Sequence, residues 1–449
     1  MSNPLPENGV YCLRKEDWTM LTFPVLAFLL LAAHFSRANL NGLAIACLLL
    51  PFLLFYRKRW VLLVGGILLL MGAVVWGVTG YHLALARVHF GMPYHRLVAI
   101  MGGVVLYTLF SAWVLLRRKS RERYPGDPAS AGISTWVFFL TALTLFMIQL
   151  KVPLNMLLFN RFVPGFGWLE ILLLSVYGAV VAARIHDYKT QAKWRIRVWH
   201  LFTIVFFTQL ILGLLGFDSF LMTGKLHLPV PALIAAGPIY RGHEFFMVFL
   251  FLGTIVLVGP AWCSHLCYIG AWDDAASRSK KVPGYYRNDS VRVVISILVI
   301  AAAILLRLFG VGWLPATILA AVFGLAGVGV MLWLSRKKGT MVHCTAYCPI
   351  GLFSNILGKL NPFRIRIDTG GCTSCMACAN VCRYSALTLE DIQAGKPSLT
   401  CTLCGDCITD CPQNTIHYHF PGLSAETARK LFIVLVVTLH AVFLGVARI

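Results

Sequence analysis

Eight cysteines in the last quarter of this 449-residue chain occur in two copies of one spacing. Residues 372–382 and 401–411 each read C-x2-C-x2-C-x3-C. In such a run, three thiolates on one tight loop bind three irons of a cubane, and the fourth cysteine reaches the neighbouring cluster. The spacing therefore predicts two 4Fe–4S clusters. The predicted ligand sets are Cys372, Cys375, Cys378 and Cys411 for one cluster, and Cys401, Cys404, Cys407 and Cys382 for the other.

Two other structures also use several cysteines, a pair of zinc knuckles and a disulfide knot. Zinc ribbons use two cysteine pairs rather than four thiols at the spacing C-x2-C-x2-C-x3-C. Disulfides are rare in the cytoplasm, where the loop charges described below place this segment. We therefore interpret the eight cysteines as cluster ligands.

The segment from Arg364 to Phe420 resembles the bacterial two-cluster ferredoxins. The resemblance implies a small α+β domain, and Arg383 departs from it, because it follows Cys382 where the ferredoxin pattern has Pro. Its positive charge near a cluster is expected to raise the reduction potential. Three short alternating segments are strand candidates: 364–367, 387–390 and 416–419.

A second cysteine repeat precedes the first one in the chain. Residues 263–270 and 344–351 share the pattern C-x3-C-x-I-G, and each copy follows an apolar stretch. On a helix, positions i and i+4 lie on one face, so the two pairs can converge beside the ferredoxin-like segment. Free cysteine is also a common buried packing residue. Duplication of the whole motif favours a redox or structural role for these residues, as a third metal site, a dithiol or a scaffold. They are Cys263, Cys267, Cys344 and Cys348.

The composition is that of an integral membrane protein. Apolar residues make up 58% of the chain and charged residues 13%, and the mean hydropathy is +0.76. A hydrocarbon core of about 30 Å needs roughly 20 apolar residues per helix. We count about eleven such stretches, near 18–35, 40–56, 60–80, 97–116, 133–150, 166–183, 196–217, 244–261, 291–309, 311–334 and 429–447. The alternative is that a weak segment, such as 40–56, re-enters without crossing, which would break the regular alternation of basic loops.

These stretches predict an all-α polytopic membrane protein with a small inserted α+β domain. The predicted organisation is a six-span region of unknown role (1–195), a membrane core with both C-x3-C motifs (196–361), the ferredoxin-like domain (362–422) and a final transmembrane helix (423–449).

The charges predict the orientation. The chain has 39 Lys and Arg against 18 Asp and Glu, a net charge of +21. Most of the basic residues fall on every second loop. The positive-inside rule then places the N-terminus and the cysteine-rich segment in the cytoplasm and the C-terminus outside. In a membrane chain such an excess is an orientation signal rather than a nucleic-acid footprint.

Ionisable residues near the outer ends of the spans are costly and often functional. His243 and Glu244, beside Arg241 and with Asp218 nearby in sequence, have the types that hydrogen-bond and deprotonate a quinol. Alternatively, two facing histidines suffice to hold a b-type haem, and any of these residues can simply be solvated. Further members of this outer set are His34, His82, His89, His95, Glu170, His227 and His440.

An outer quinol site would lie most of a bilayer away from the clusters and would need a haem or a flavin as a relay. Without a relay, the quinone site must lie at the inner face near the C-x3-C motifs, where His200 and His186 are candidates.

Residues 196–449 resemble the membrane-bound quinol dehydrogenase proteins of the NapH and NosR type, which carry two C-x3-C motifs, a two-cluster ferredoxin segment and a closing helix. The resemblance implies a bacterial-type inner membrane, the quinone pool as electron source or sink, and other redox subunits as partners. One departure is Tyr268, where the family has Pro, and another is that we find no flavin-carrying domain of the NosR kind.

We therefore expect an oxidoreductase component that passes electrons between the quinone pool and a partner through two clusters. Its many spans favour this function over a ferredoxin on a simple anchor, since one or two spans would tether it. The alternatives are a reductase of a metal ion such as copper, and a transport or assembly protein whose clusters sense redox state.

Overall fold

The computed structural model describes residues 15–221 and 228–446, with side chains from residue 20 onward. The described chain is mostly helical and separates into two compact units. The first contains everything described up to Thr135 together with Val163–Leu172, and the second contains Trp136–Phe162 and everything described from Leu173 onward. The domain boundary predicted at residue 195 lies inside the second unit.

Small residues let the helices of the first unit pack closely. A Cβ added at Gly66 or at Gly72 would lie 2.6 Å from side-chain carbons of Leu116 and Leu31, respectively. Glycine at these positions therefore brings neighbouring backbones together, as in other membrane helices. The helices of this unit are α1 (Lys15–Arg37), α2 (Asn41–Leu53), α3 (Arg59–His89), α4 (His95–Leu116) and α5 (Arg118–Glu122).

Two long helices, α6 (Pro128–Lys151) and α8 (Gly167–His186), each continue from one unit into the other, and the short α7 (Leu158–Phe162) lies between them in sequence. The helices that follow are α9 (Gln191–Leu214), α10 (Leu233–Arg241), α11 (Phe246–Val258), α12 (Trp262–His265), α13 (Tyr268–Ser277), α14 (Asp289–Leu308), α15 (Trp313–Val330), α16 (Arg336–Lys338), α17 (Pro349–Leu357), α18 (Leu389–Gln393), α19 (Asp406–Thr409) and α20 (Ala425–Val446).

Short 3-10 turns, which are wound more tightly than an α-helix, and π turns, which are wound more widely, complete the helical structure. The 3-10 turns are Asp218–Phe220, Gly259–Ala261 and Ala379–Val381, and the π-helical turns are Met331–Ser335 and His343–Tyr347. The first π turn continues α15 into α16, and the second contains the first cysteine of the second C-x3-C motif. Such π turns are rare and often mark functional positions.

Within the described residues, ten helices are long and apolar enough to cross a membrane, whereas the sequence predicted about eleven spans. The difference lies at 40–56, where α2 has only 13 residues. At 1.5 Å per residue such a helix is too short for a hydrocarbon core of about 30 Å. The helical and membrane character agrees with the prediction, and the count of eleven is not confirmed.

A two-stranded antiparallel sheet forms the base of the ferredoxin-like segment. Strands β1 (Arg364–Ile367) and β2 (Ile416–His419) pair along their whole length and bury alternate side chains. The strand predicted at 387–390 is wrong. There Thr388 and Asp391 form a capping box that starts α18, and this local signal overrides the alternating pattern.

A buried ion pair fastens the ferredoxin-like segment to α9. The Arg195 side chain is 2% exposed and donates to both carboxylate oxygens of Asp406, at 3.0 and 2.6 Å. It also donates to the carbonyl oxygen of Ser264, at 3.1 Å. Paired donors of this kind fix position as well as charge. The second cysteine run and the first C-x3-C motif are thereby held against one helix.

Asp406→Asn is expected to destabilise the chain by about 3–5 kcal/mol, because it leaves the Arg195 charge buried without its partner. Hydrogen exchange of the amides in residues 362–422, measured in detergent, would report the loosened contact. Glu122→Gln is the control, since it removes an ion pair with Arg118 in which the Glu122 side chain is 62% exposed. Equal exchange in the two variants would show that the pair does not anchor the segment.

Candidate functional site

The eight cysteines of the ferredoxin-like segment line two separate cavities, four to each. In each cavity three cysteines come from one run and the fourth from the other run, which is the crossed arrangement expected from the spacing. One cavity is lined by Cys372, Cys375, Cys378 and Cys411, and the other by Cys382, Cys401, Cys404 and Cys407.

The two loops that carry these cysteines repeat an unusual backbone conformation. Ser374 and Leu403 occupy equivalent positions and have φ of 52° and 56°, and Met376 and Gly405 follow with 61° and 82°. Left-handed conformations in residues other than glycine cost about 1–3 kcal/mol and cluster at functional sites. Two such turns in each loop wrap its three cysteines around one cavity.

The donor set and its surroundings fit an iron–sulfur cluster. Burial raises the pKa of Cys401 to about 12 and that of Cys378 to about 11, and the charge of a bound metal would oppose this rise by stabilising the thiolates. Among the described residues, no three His, Cys, Asp or Glu side chains converge as the ligands of a single metal ion would. A cubane needs no such convergence, because its thiolates bind different irons.

The second cysteine repeat has the same local structure in both copies. Cys263 lies in α12 and Cys344 in the π turn, and the helical turn ends before the second cysteine of each pair. Cys267 and Cys348 are extended, with φ, ψ of −80°, 115° and −77°, 119°, and each precedes a new helix. The continuous helix face considered from the sequence is therefore wrong, and each pair spans a break between two helices.

The glycine of C-x3-C-x-I-G has a packing role in both copies. A Cβ on Gly270 would lie 2.8 Å from the carbonyl oxygen of Cys263, and one on Gly351 would lie 2.7 Å from that of Cys344. The new helix thus begins directly against the first cysteine. Burial raises the pKa of Cys267 well above its usual value, while backbone hydrogen bonds from Gly270 and Ile269 lower it.

The four cysteines of this repeat form what we call the cysteine quartet, and three of them lie near a buried cation: Cys263, Cys344 and Cys348. Cys263, Cys267 and Cys348 belong to one buried cluster. Arg292 of α14 is 1% exposed, and its Nη2 would lie 2.8 Å from a Cβ on Gly351. Burial raises the pKa of Cys348, and Arg292 acts against this. Arg292 Nε and Nη1 have no hydrogen-bond partner among the described residues.

The cysteine quartet and the second cavity share one apolar cluster. Cys344 packs against this cluster from one side, together with Cys382, Cys401 and Cys404 of the cavity. Trp199 of α9 is fully buried and donates to the carbonyl oxygen of Cys267, at 2.8 Å. The members of the cluster are Trp199, Ala271, Met341, Tyr384 and Ala386. Cys344 of the quartet and three cysteines of the second cavity therefore contact the same apolar cluster.

Arg383, which departs from the ferredoxin pattern, is a structural anchor. Its guanidinium donates to three backbone carbonyl oxygens, those of Ser277 at 3.1 Å, Gly339 at 2.7 Å and Lys281 at 2.8 Å. The positive charge is thus used to dock the first cysteine run on the loops after α13 and α16. Its predicted effect on a reduction potential remains a prediction.

The outer candidates form a small exposed group. Arg241 and Glu244 are ion-paired at 3.0 Å, and His243 lies 3.9 Å from Glu244. The side chains of His243 and Glu244 are 66% and 61% exposed. Asp218 begins the turn Asp218–Phe220 and makes no ion pair with them in the part of the chain that the structure describes.

His440, another of the histidine candidates, is held by protein contacts. Both ring nitrogens of His440 have partners, the Tyr177 hydroxyl at 2.9 Å and the carbonyl oxygen of His265 at 3.3 Å. His440 therefore lies beside the first C-x3-C motif, not with His243. His227 lies outside the described residues.

The inner-face candidates take part in structural contacts. His200 Nε2 lies 3.6 Å from Asp274. Although burial raises the pKa of Asp274, His200 and Arg278 hold it at about 2. The carbonyl oxygen of His186 accepts a hydrogen bond from Arg429 at 2.8 Å.

A third cavity was not predicted from the sequence. It has a volume of about 300 Å³ and is lined by apolar side chains together with His343, Tyr347 and Cys348. His343 is 6% exposed. The sequence signal for His343 was its position directly before Cys344. The repeated motif drew attention only to the cysteines.

Gly351→Ala and Gly270→Ala are each expected to destabilise the chain by about 1–3 kcal/mol, because the added methyl group would overlap a backbone carbonyl oxygen. Thermal unfolding in detergent would measure the loss. Gly329→Ala on α15 is the control, since a Cβ there meets nothing within 4 Å. A melting temperature equal to that of the control would contradict the packing role of the motif glycines.

Comparison with known proteins supports the presence of iron–sulfur clusters. A family model described as a 4Fe-4S binding domain matches residues 243–284 and 320–368, the segments that carry the two C-x3-C motifs. No solved structure matches the chain.

Two curated relatives match part of the chain. The ferredoxin-type protein NapH of Haemophilus influenzae is 24% identical over 181 residues, which cover 36% of this chain and 63% of the relative. The methylamine utilization ferredoxin-type protein MauN of Methylorubrum extorquens is 27% identical over 197 residues, covering 38% and 62%. The chain thus spans somewhat less than two thirds of the length of these relatives. The resemblance to the NapH type is confirmed, at modest identity.

Proposed function

We propose that this chain, which resembles the NapH-type membrane iron–sulfur proteins, passes electrons between the quinone pool and a redox partner through two 4Fe–4S clusters. The observation that carries the proposal is the division of eight cysteines into two cavities of four thiols each. The spans and the relatives support membrane-associated electron transfer.

The first cluster is assigned to Cys372, Cys375, Cys378 and Cys411, and the second to Cys401, Cys404, Cys407 and Cys382. Each cluster, when bound, supplies one-electron chemistry. The protein's part is to hold the thiols, to keep water away and to fix the distance to the membrane helices. Ile392 and Ile416 line the first cavity, Ile365 and Leu387 line the second, and the Arg195–Asp406 pair fixes the second run.

The proposal places the clusters in the cytoplasm and the C-terminus outside. Ten crossings, the number of long apolar helices among the described residues, put both termini on one side, so the N-terminus is cytoplasmic only if an eleventh segment, such as 40–56, also crosses. Basic loop residues beside the cysteine motifs support this orientation, since such residues accumulate on the cytoplasmic side. They include Arg278, Lys280, Lys281, Arg336, Lys337 and Lys338. In a bacterial-type inner membrane, partner subunits would meet the chain on either side.

The cysteine quartet is assigned a redox or structural role next to the second cluster. Arg292 supports this role, because a buried cation with two unpartnered donors stabilises an anionic neighbour such as a thiolate. A simple packing role would leave that buried charge unexplained.

Cys404→Ser is expected to remove or convert one cluster, lowering the iron content by up to about half, since each cluster holds four irons. Iron analysis and the electron paramagnetic resonance spectrum of the reduced protein would measure it. Cys47→Ser on α2 is the control, because Cys47 is 5% exposed and belongs to the first unit. Unchanged iron in Cys404→Ser would sink the ligand assignment.

Cys348→Ser is expected to slow reduction of the clusters by a quinol about tenfold or more if the quartet carries electrons, while dithionite still reduces both clusters. Loss of a cluster would instead support the structural role. Stopped-flow absorbance with each reductant, compared with Cys47→Ser, separates the two. Kinetics and iron content like those of Cys47→Ser would return the quartet to simple packing.

A further inference from the structure

The cavity beside the cysteine quartet is built like a site for a small flat molecule. Its volume of about 300 Å³ is at the lower end of the range for ligand pockets. Two stacked aromatic pairs line it: Phe207 with Trp272, whose ring centroids are 4.5 Å apart, and Phe323 with Tyr347, at 4.7 Å. Aromatic walls of this kind favour a flat conjugated ring.

One polar group in this cavity lacks a well-formed hydrogen bond. His343 is 6% exposed, and its ring interacts with the Gly327 backbone, but neither ring nitrogen makes a hydrogen bond of good geometry among the described residues. Leaving such a group unsatisfied costs about 1–3 kcal/mol, which calls for an explanation. The Tyr347 hydroxyl, by contrast, already donates to the carbonyl oxygen of Phe323 at 2.7 Å. His343 therefore offers hydrogen bonds to a ligand.

Packing against α15 holds the imidazole in place. A Cβ at Gly327 would lie 2.8 Å from His343 Cε1 and 3.1 Å from Tyr347 Cε1. Glycine at this position lets the helix pass directly over the two rings. The ligand-binding group is thus fixed by the helix that also forms the cavity wall.

The cavity borders an apolar helix surface. Leu325 of α15 lines it and is 70% exposed, and the neighbouring Val322 is 56% exposed. Since α15 is one of the helices suited to crossing a membrane, we expect these side chains to face lipid. A molecule dissolved in the bilayer would reach the cavity from this side and keep an apolar tail in the lipid.

We propose that this cavity binds the ring of an isoprenoid quinone, with His343 hydrogen-bonded to a ring oxygen and the tail lying along α15. The identity of the ligand rests on the proposed function, whereas the cavity and its buried imidazole do not. Cys348 also lines the cavity, so the bound ring lies next to the cysteine quartet. The exposed group around His243 is then not the quinone site.

The test is photolabelling of the full chain in nanodiscs of synthetic, quinone-free lipid. The probes are an azidobenzoquinone and an azidonaphthoquinone with short prenyl tails, and peptide mapping locates the label. We expect saturable labelling within residues 228–232, 321–331 and 343–349, displaced by the unmodified quinone of one of the two classes. The class that displaces the label identifies the ring type.

Four variants make the test quantitative. His343→Phe is expected to weaken probe binding about fivefold to tenfold through loss of one hydrogen bond, and His343→Gln, which keeps a donor, to restore most of it. Ala321→Phe fills the cavity and is expected to weaken binding more than about tenfold. Ala326→Phe, on an exposed position of α15 outside the cavity, is the matched control and should bind like the unmodified chain. An unchanged iron–sulfur absorption spectrum in each variant shows that the fold is retained.

The outcomes separate this inference from the proposed function. Label on residues 241–244, with normal binding in His343→Phe and Ala321→Phe, would overturn the cavity and leave quinone-linked electron transfer standing. No saturable labelling by either probe would overturn both. We expect the cavity of the Cys404→Ser protein to be labelled as strongly as that of the unmodified chain, because quinone binding needs no cluster. The iron content then tests the cluster ligands independently of quinone binding.

Discussion

The buried pair of Arg195 and Asp406 is the contact on which the arrangement of the cysteines depends. Two charges taken out of water are tolerated only when their geometry compensates the lost hydration. Here a guanidinium on α9 meets both oxygens of a carboxylate and one carbonyl oxygen of the first C-x3-C motif. The Ser264 hydroxyl of that motif also donates to the carbonyl oxygen of Thr402, at 3.0 Å. These contacts therefore hold a transmembrane helix, the C-x3-C motif and a ferredoxin-like loop together at one point.

The cysteine groups lie next to one another beside this pair. The proposed quinone cavity borders Cys348, three cysteines of the quartet lie near Arg292, and the cluster of Trp199 and Tyr384 contacts both Cys344 and the second four-thiol cavity. Dense packing of this kind excludes water and keeps distances constant. Fixed distances and the exclusion of water suit the movement of electrons between sites better than the movement of substrates.

Much of this site follows from residue spacing. The short spacing of the cysteines predicted that each cavity would take three cysteines from one run and one from the other. Alternation of apolar and polar residues predicted the strands at 364–367 and 416–419. The same alternation failed at 387–390, because Thr388 and Asp391 supply a helix start that outweighs it. The break inside the first C-x3-C motif has no such local signal, whereas in the second motif Pro349 restricts Cys348 to an extended conformation and starts the new helix.

Contacts between distant segments lay beyond any local pattern. Nothing near Arg195 in the sequence indicates that its partner is 211 residues away, and Arg383 reads as an electrostatic perturbation until three carbonyl oxygens are found around it. His343 became a candidate only when its burial, its lack of a well-formed hydrogen bond and its aromatic neighbours were seen together.

The crossed cavities also bear on how the protein matures. On the proposed assignment, each cluster takes its fourth thiolate from the run that holds the other cluster, so the first cluster to be inserted ties the two loops together. Closing that connection removes most of the conformational freedom that the second site would otherwise lose on binding iron. Cluster insertion should therefore be cooperative, and half-loaded chains should be scarce intermediates during biogenesis.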